Sequence, residues 1–219
     1  MSVEAKICGV SRLADIECAA SGGARYVGFV FFPRSPRNLT PAEAGALAAA
    51  TPDDIETVAL LVDPDDAALD AVLARASIDI LQLHGGESPA RVAEIKRRTG
   101  RKVMKAIKIS GPDDLDAATP YLGVADRLLF DAKAPPTLAG AMPGGNALSF
   151  DWALLAGRSW PCPWMLSGGL DADNVAEAIR ISGAPAVDVS SGVESAPGVK
   201  DPDRITAFLD ALSEGRRRA

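Results

Sequence analysis

The chain has 219 residues, of which 47% are hydrophobic and 24% charged, a composition typical of a globular protein with a sizeable core. Its net charge of −6 argues against a protein that binds nucleic acid non-specifically. No apolar run approaches a transmembrane helix, no signal peptide is visible, and the three widely spaced cysteines form neither a disulfide framework nor a zinc motif, so we expect a reduced, cytoplasmic protein without a membrane partner.

Eight short apolar runs recur along the chain and predict β-strands. In order they read AKICGV, YVGFVFF, ETVALLV, DILQLHG, KVMKAIKI, DRLLFDA, CPWMLSG and AVDVSSG. Most are separated by segments with helical spacing, at Leu13–Ser21, Pro41–Ala50, Asp65–Ala76, Pro89–Thr99 and Asn174–Ser182. Four residues that favour helix starts precede such segments, and we predict them as N-caps: Ser11, Thr40, Ser88 and Asp171.

This alternation predicts an α/β fold with a parallel sheet. Eight strands in one chain of this length favour a single domain over residues 1–219, a closed eight-stranded (β/α)₈ TIM barrel. The link from Asp131 to Asp151 is rich in proline and glycine and too broken for a helix before the run FDWALLAG. In such a barrel the functional residues lie at the carboxyl ends of the strands.

The last two strands both end in serine–glycine turns, LSGGLDADNV and VSSGVESAPG. Glycine lets the backbone approach a ligand and present its N–H groups. Either turn alone could be an ordinary tight connection. Their joint occurrence after strands seven and eight favours a phosphate site, because barrels often bind phosphate there. We assign this site to Gly168, Gly169, Ser191 and Gly192.

Strand alternation places Lys6 on the same face as Cys8, and Asp188 on the same face as Ser190. Strands one and eight are neighbours in a closed barrel, so Lys6 and Asp188 can pair with each other. Two interpretations of Asp188 are open. It is the buried ion-pair partner of Lys6, or it binds the substrate directly. Without a partner, either charge would cost about 3–5 kcal/mol to bury.

Asp131 ends the apolar strand RLLFD, where a carboxylic acid suits proton donation. A half-enclosed pocket is expected to raise its pKa. The alternative is a helix N-cap, but no helical pattern follows directly. Cys8 is at the matching height on strand one, and nearby lysines would favour its thiolate. Cys18 and Cys162 suit inert packing positions.

The loop after strand two, FFPRSPRNLTPAE, offers Arg34 and Arg37 above the barrel. Arginine binds carboxylate or phosphate with forked hydrogen bonds, although a loop arginine can also be merely solvated. His84, the only histidine, ends strand four. We interpret it as a hydrogen-bonded residue at the rim rather than a metal ligand, because no second ligand is near it in sequence.

Together these segments resemble the phosphoribosylanthranilate isomerase family of tryptophan biosynthesis. The resemblance is carried by KICG, GFVFFPRSPRNL, QLHG, LLFDAK, GG…FDW, LSGGL, VDVSSGVE and PGVKD, in order from residue 6 to about residue 202. It implies an Amadori rearrangement of N-(5-phosphoribosyl)anthranilate to 1-(2-carboxyphenylamino)-1-deoxyribulose 5-phosphate.

By this resemblance, Cys8 is the general base and Asp131 the general acid. Arg37 binds the anthranilate part, Asp188 lies near the ribose hydroxyls, and His84 belongs to the substrate pocket. The reaction is an aldose–ketose isomerisation, an intramolecular oxidation and reduction, with no metal or cofactor. The partner is therefore a small-molecule substrate, and we expect a monomer or a homodimer.

One segment departs from the family pattern. The family commonly has GGxG before FDW, whereas this chain has Gly144, Gly145, Asn146 and Ala147, after a longer loop. We expect this to change loop closure or KM and to leave the reaction unchanged.

Three other functions are alternatives to the isomerase. Indole-glycerol-phosphate synthase would require an extension before strand one and a lysine–glutamate catalytic set. The sugar-isomerising barrels of histidine biosynthesis use an aspartate where this chain has Cys8. A phosphate-binding barrel without catalysis would bind ligand without turnover, although the acid and the base are both present.

Overall fold

The computed structural model describes residues 3–135, 144–145 and 148–215, with side chains as far as residue 212. Its strands are β1 Glu4–Cys8, β2 Tyr26–Phe31, β3 Glu56–Leu61, β4 Ile80–Leu83, β5 Lys102–Ile109, β6 Arg127–Ala132, β7 Trp164–Leu166, β8 Ala186–Val189, β9 Glu194–Ala196 and β10 Val199–Lys200. Its α-helices are α1 Leu13–Ser21, α2 Pro41–Ala49, α3 Asp66–Leu73, α4 Pro89–Thr99, α5 Val175–Ser182 and α6 Pro202–Gly215. Helices of the 3₁₀ type cover Pro112–Tyr121, Trp152–Leu155 and Ser191–Val193.

Strands β1 to β8 form a closed barrel in which each strand pairs in parallel with the next. Strand β8 pairs with β1 to complete the ring, with Lys6 opposite Asp188. The predicted (β/α)₈ barrel is thus confirmed. A small antiparallel hairpin, β9 and β10, lies between β8 and α6; the sequence analysis did not predict it.

Two of the four predicted helix caps are confirmed. The Thr40 side chain accepts a hydrogen bond from the Glu43 backbone N–H, and Glu43 accepts one from that of Thr40, which fixes the start of α2. The Ser88 hydroxyl caps α4 by accepting a hydrogen bond from the Arg91 backbone N–H. Both patterns are local, so they can be recognised in the sequence alone.

The predictions for Ser11 and Asp171 are wrong. Helix α1 has Arg12 at its N-cap, because the Asp15 carboxylate accepts hydrogen bonds from the backbone N–H groups of Ser11 and Arg12. Helix α5 has Asn174 at its N-cap. Asp171 instead stabilises the preceding turn, where it accepts from the Asn174 N–H. In the segment FDWALLAG, only a single 3₁₀ turn forms.

The core has two parts. One lies between the strands and the surrounding helices and contains most of the buried aliphatic side chains. The other fills the inside of the barrel with Tyr26, Val58, Ile80, Met104, Ala106, Leu129, Met165 and Ala186. Because side chains alternate along each strand, the next inward positions, such as Cys8 and Asp131, lie above this apolar layer, at the carboxyl ends of the strands. No helix among the described residues is both long and apolar enough to cross a membrane.

Candidate active site

Cys8 lies at the end of β1, and its side chain is buried inside the barrel mouth beside Lys6. Gly28 on β2 makes room for both groups. A Cβ at Gly28 would lie 3.0 Å from Cys8 Sγ and 3.1 Å from Lys6 Nζ, closer than side chains normally approach. The thiol and the ammonium therefore share one small space.

Burial raises the pKa of the Cys8 thiol, and the nearby Asp188 charge adds to this effect, whereas the charge of Lys6 opposes it. The net direction is upward. The expected lysine is present and its charge favours the thiolate, but desolvation of the anion outweighs this attraction, so the net effect favours the thiol.

The predicted pair of Lys6 and Asp188 is confirmed. Lys6 Nζ donates to Asp188 Oδ1 at 2.8 Å, and the other carboxylate oxygen accepts from Ser167 Oγ at 3.0 Å. Lys6 is completely buried. Burial alone would lower the pKa of Lys6, but Asp188 and Cys8 together raise it above its ordinary value. Asp188 thus has a structural partner and also lines the pocket described below.

Asp131 lies across the barrel mouth, near the end of β6. Its Oδ2 accepts a hydrogen bond from Lys108 Nζ at 2.7 Å and lies 3.1 Å from His84 Nε2. Its Oδ1 accepts from the backbone N–H of Ala132 at 2.9 Å. Burial alone would raise the pKa of Asp131, but Lys108 and His84 outweigh it and lower the pKa to about 2. The prediction of a raised pKa is therefore wrong.

His84 is held by three polar partners, as predicted for a hydrogen-bonded rim residue. Its Nδ1 lies 2.8 Å from the side-chain nitrogen of Gln82, and its Nε2 contacts both Asp131 and Lys108. Burial and the charge of Lys108 lower the pKa of His84. Its imidazole is therefore neutral near pH 7. No cluster of His, Cys, Asp and Glu that could hold a metal occurs among the described residues.

Arg37 is almost completely buried and is held by Glu194, the first residue of β9. The guanidinium donates two hydrogen bonds to the Glu194 carboxylate, at 2.7 and 2.8 Å. Lys200 Nζ donates to the same carboxylate at 2.7 Å. The β9–β10 hairpin thus fixes an arginine that the sequence places only in a loop.

The two serine–glycine turns come together beside β1. Gly168 and Gly169 have positive φ angles of 94° and 63°, which side chains rarely adopt. A Cβ at Gly192 would lie 1.9 Å from the Leu170 carbonyl oxygen. These glycines let the loops after β7 and β8 pack against each other. Phosphate binding there remains a prediction.

Gly144 lies directly over His84 and Asp131, and Gly145 lies against Arg37. A Cβ on Gly144 would be 2.9 Å from His84 Nε2 and 3.2 Å from Asp131 Oδ2. A Cβ on Gly145 would be 2.6 Å from one terminal nitrogen of Arg37. Only glycine allows this approach. Ala147 lies outside the described residues, as does most of the longer loop before Gly144.

One pocket at the barrel mouth brings most of the predicted site together. About 750 Å³ of space lies between its walls, a figure that includes open solvent at the mouth. Its lining includes eight of the predicted residues: Cys8, Arg37, His84, Asp131, Gly168, Gly169, Asp188 and Ser191. Gly192 is not in this lining, and it lies behind Ser191 against Leu170.

Sequence reasoning missed the roles of Glu194, Lys200, Gln82 and Lys108. Alternation along β5 could have placed Lys108 inward, because Met104 and Ala106 of the same strand lie inside the barrel. No comparable pattern marks Glu194 and Lys200, whose positions depend on the unpredicted hairpin.

The model of the family described as N-(5′-phosphoribosyl)anthranilate (PRA) isomerase matches residues 5–211. An N-(5′-phosphoribosyl)anthranilate isomerase of Paramagnetospirillum magneticum is 59% identical over 216 residues, which are 99% of this chain and 100% of the relative.

The crystal structure of phosphoribosyl anthranilate isomerase from Thermotoga maritima has a TM-score of 0.86 and 34% identity, covering 97% of this chain and 99% of that one. A second structure is of such an isomerase in complex with reduced 1-(o-carboxyphenylamino)-1-deoxyribulose 5-phosphate; it has a TM-score of 0.81 and 32% identity, with the same coverage. The chain belongs to the N-(5′-phosphoribosyl)anthranilate isomerase family.

Proposed function

We propose that this protein converts N-(5′-phosphoribosyl)anthranilate to 1-(2-carboxyphenylamino)-1-deoxyribulose 5-phosphate, a step of tryptophan biosynthesis. The observation that carries the proposal is the single pocket that holds a thiol on β1 and a carboxyl group on β6, across the mouth of the barrel. Membership of the family supports the same reaction.

In the proposed mechanism, Asp131 delivers a proton to the furanose ring oxygen. The bond between this oxygen and C1′ breaks, and the nitrogen lone pair forms a Schiff base. Cys8 then removes the proton at C2′, which gives an enolamine. Protonation at C1′ and loss of the C2′ hydroxyl proton give the ketose. The amino nitrogen of the substrate accepts the electrons, so the proposal is a cofactor-independent intramolecular oxidation and reduction.

For Cys8 to act as a base, the substrate must shift the balance between burial and nearby charges that sets the pKa of the thiol. Burial raises the pKa of Cys8, but the Schiff base carries a positive charge when protonated. A cation close to Sγ favours the thiolate. Cys8 is therefore an unreactive thiol before ring opening and a base after it, which orders the two proton transfers.

We assign the substrate anions to the two remaining parts of the pocket. The terminal nitrogens of Arg37 next to Gly145 suit the anthranilate carboxylate, since arginine forms forked bonds to carboxylates. The turns at Gly168, Gly169, Ser191 and Gly192 suit the phosphate. Asp188 and His84 line the space between, where the ribose lies.

We further propose that residues 1–219 form one domain and that the protein is cytoplasmic. Three free cysteines support a reducing compartment. Light scattering of the purified protein distinguishes the monomer from the homodimer by their molar mass.

The test follows the loss of phosphoribosylanthranilate fluorescence on addition of the purified protein. We expect turnover by the wild type and a fall of about a hundredfold or more in Cys8→Ala and in Asp131→Asn, the usual contribution of a positioned acid or base. A folded wild type without turnover would exclude the isomerase and favour the phosphate-binding barrel without catalysis.

A further inference from the structure

Lys108 is the closest cation to the proposed acid. It lies on β5 directly opposite Asp131 in the register of the two strands. Its Nζ donates to Asp131 Oδ2 at 2.7 Å and also contacts His84 Nε2. The side chain of Lys108 is 26% exposed. Lys108 itself is not part of the pocket lining, but its partners Asp131 and His84 are.

The surroundings of Asp131 favour its ionised form. Each described hydrogen bond to its carboxylate comes from a nitrogen, in Lys108, His84 or the Ala132 backbone. A carboxylate with a pKa of about 2 holds almost no proton near pH 7. The proposed ring opening nevertheless requires a proton at the ring oxygen, so another group must supply it.

His84 does not supply this proton near pH 7. Its pKa is lowered by burial and by the charge of Lys108. A neutral imidazole has one N–H, and its loss would leave an imidazolate. The Lys108 ammonium has three N–H bonds, and one of them already points at Asp131 Oδ2.

We infer that Lys108 stores the proton that Asp131 delivers to the furanose ring oxygen. The inference rests on the proposed function. In the first step an N–H bond of Lys108 breaks and an O–H bond of Asp131 forms, which leaves a neutral amine beside a neutral acid. Asp131 then gives this proton to the ring oxygen as the C1′–O bond breaks. Lys108 regains a proton from the C2′ hydroxyl when the enolamine becomes the ketose, so the cycle consumes no other reactant.

The charges around Lys108 support this role. Burial lowers its pKa, and the charge of Lys105 on the same strand acts in the same direction. Asp131 on β6 and Asp188 on β8 oppose this effect, and the net direction is downward. His84 on β4 is neutral near pH 7. An ammonium with a lowered pKa transfers its proton more readily than an exposed lysine.

The test compares pH profiles of kcat for the wild type, Lys108→Met and Lys108→Arg. In Lys108→Met, Asp131 must hold its own proton. We therefore expect the alkaline limb of the profile, where kcat decreases with rising pH, to shift to lower pH by about one unit or more. Near pH 8, kcat should fall about tenfold or more, and it should recover on acidification. Arginine keeps the charge but does not release a proton in proteins, so kcat of Lys108→Arg should be low at every pH. KM should change little in both variants.

A matched control is Lys102→Met, which removes an exposed lysine at the start of the same strand and should leave the profile unchanged. Wild-type kcat in Lys108→Arg would overturn the inference, because charge alone would then suffice. An unmoved alkaline limb or a higher kcat in Lys108→Met would also overturn it, since Lys108 would then only hold Asp131 ionised. A folded wild type without turnover would overturn the proposed function itself, which separates the two failures.

Discussion

Each side of the barrel mouth contains a lysine–aspartate ion pair, and the two pairs have different surroundings. Lys6 pairs with Asp188 beside the thiol, and Lys108 pairs with Asp131 on the opposite side. The pKa of Lys6 is raised, because Asp188 and Cys8 outweigh its burial. The pKa of Lys108 is lowered, because burial and the charge of Lys105 prevail over its anionic neighbours.

Because of this difference, Lys6 carries a fixed charge, whereas Lys108 is suited to release its proton. Lys6 is completely buried and faces an anion and a thiol, so it keeps its proton and supplies a constant positive charge to the base side. Lys108 is partly exposed and lies against the proposed acid. Similar pairs in one barrel can therefore serve opposite purposes, according to the neighbours of the lysine.

The largest effect is expected at the fixed pair. Lys6→Met leaves Asp188 buried without its cation, which should reduce the free energy of unfolding by about 3–5 kcal/mol. Chemical denaturation measures the loss. The double variant Lys6→Met/Asp188→Leu should recover much of it, because both charges are then removed. A loss below about 1 kcal/mol in the single variant would show that Asp188 does not depend on Lys6.

A second effect on the base side concerns Arg37. Glu194→Gln removes the charge that holds the guanidinium and Lys200. We expect KM to rise about tenfold or more, with a smaller change in kcat, since truncating a buried charge pair costs about 2–5 kcal/mol. The control Glu177→Gln breaks a pair with Arg180 that is exposed on both sides and should change neither constant. An unchanged KM in Glu194→Gln would mean that Arg37 needs no such support.

On the acid side, the pair of Asp131 and Lys108 should be visible in the pH dependence of stability. The pKa of Asp131 is lowered from 3.8 to about 2, so its contribution is complete above about pH 4 and is lost as the pH falls through about 2. The shift corresponds to about 2 kcal/mol. Wild type and Asp131→Asn should therefore differ in unfolding free energy above pH 4 and converge near pH 2. Parallel curves across this range would contradict the assigned pKa.

A smaller effect is expected from Gly144→Ala. The new methyl group would lie within 3.2 Å of His84 Nε2 and Asp131 Oδ2, and both must shift by a few tenths of an ångström. We expect kcat/KM to fall about tenfold, with an unchanged melting temperature. Gly123→Ala is the matched control, because its Cβ would have no neighbour within 4 Å. Full activity in Gly144→Ala would show that this approach is not needed.

The barrel could be predicted from the sequence because its evidence is local and repeated. Each strand is a short apolar run, and caps such as Thr40 and Ser88 are recognisable within a few residues. The pair of Lys6 and Asp188 also followed from the sequence, since strands one and eight must meet in a closed barrel. These inferences require only alternation and closure.

The remaining parts of the site depend on contacts between distant residues. Glu194 reaches Arg37, 157 positions away, only because an unpredicted hairpin carries it there. The pKa directions of Cys8 and Asp131 depend on how burial balances the neighbouring charges, and sequence cannot weigh these terms. For this reason the predicted direction was wrong for Asp131, and the expected effect of the lysine on Cys8 is outweighed by burial.

The central claim is that Asp131 opens the ring and Cys8 removes the proton at C2′. The most direct measurement is the deuterium isotope effect on turnover of substrate labelled at C2′, in Cys8→Ser and in Asp131→Asn. Impairing the base should make C2′ cleavage rate-limiting, so we predict a large isotope effect in Cys8→Ser. Impairing the acid should make ring opening rate-limiting, with an isotope effect near unity in Asp131→Asn. Equal or reversed isotope effects in the two variants would contradict this division of roles.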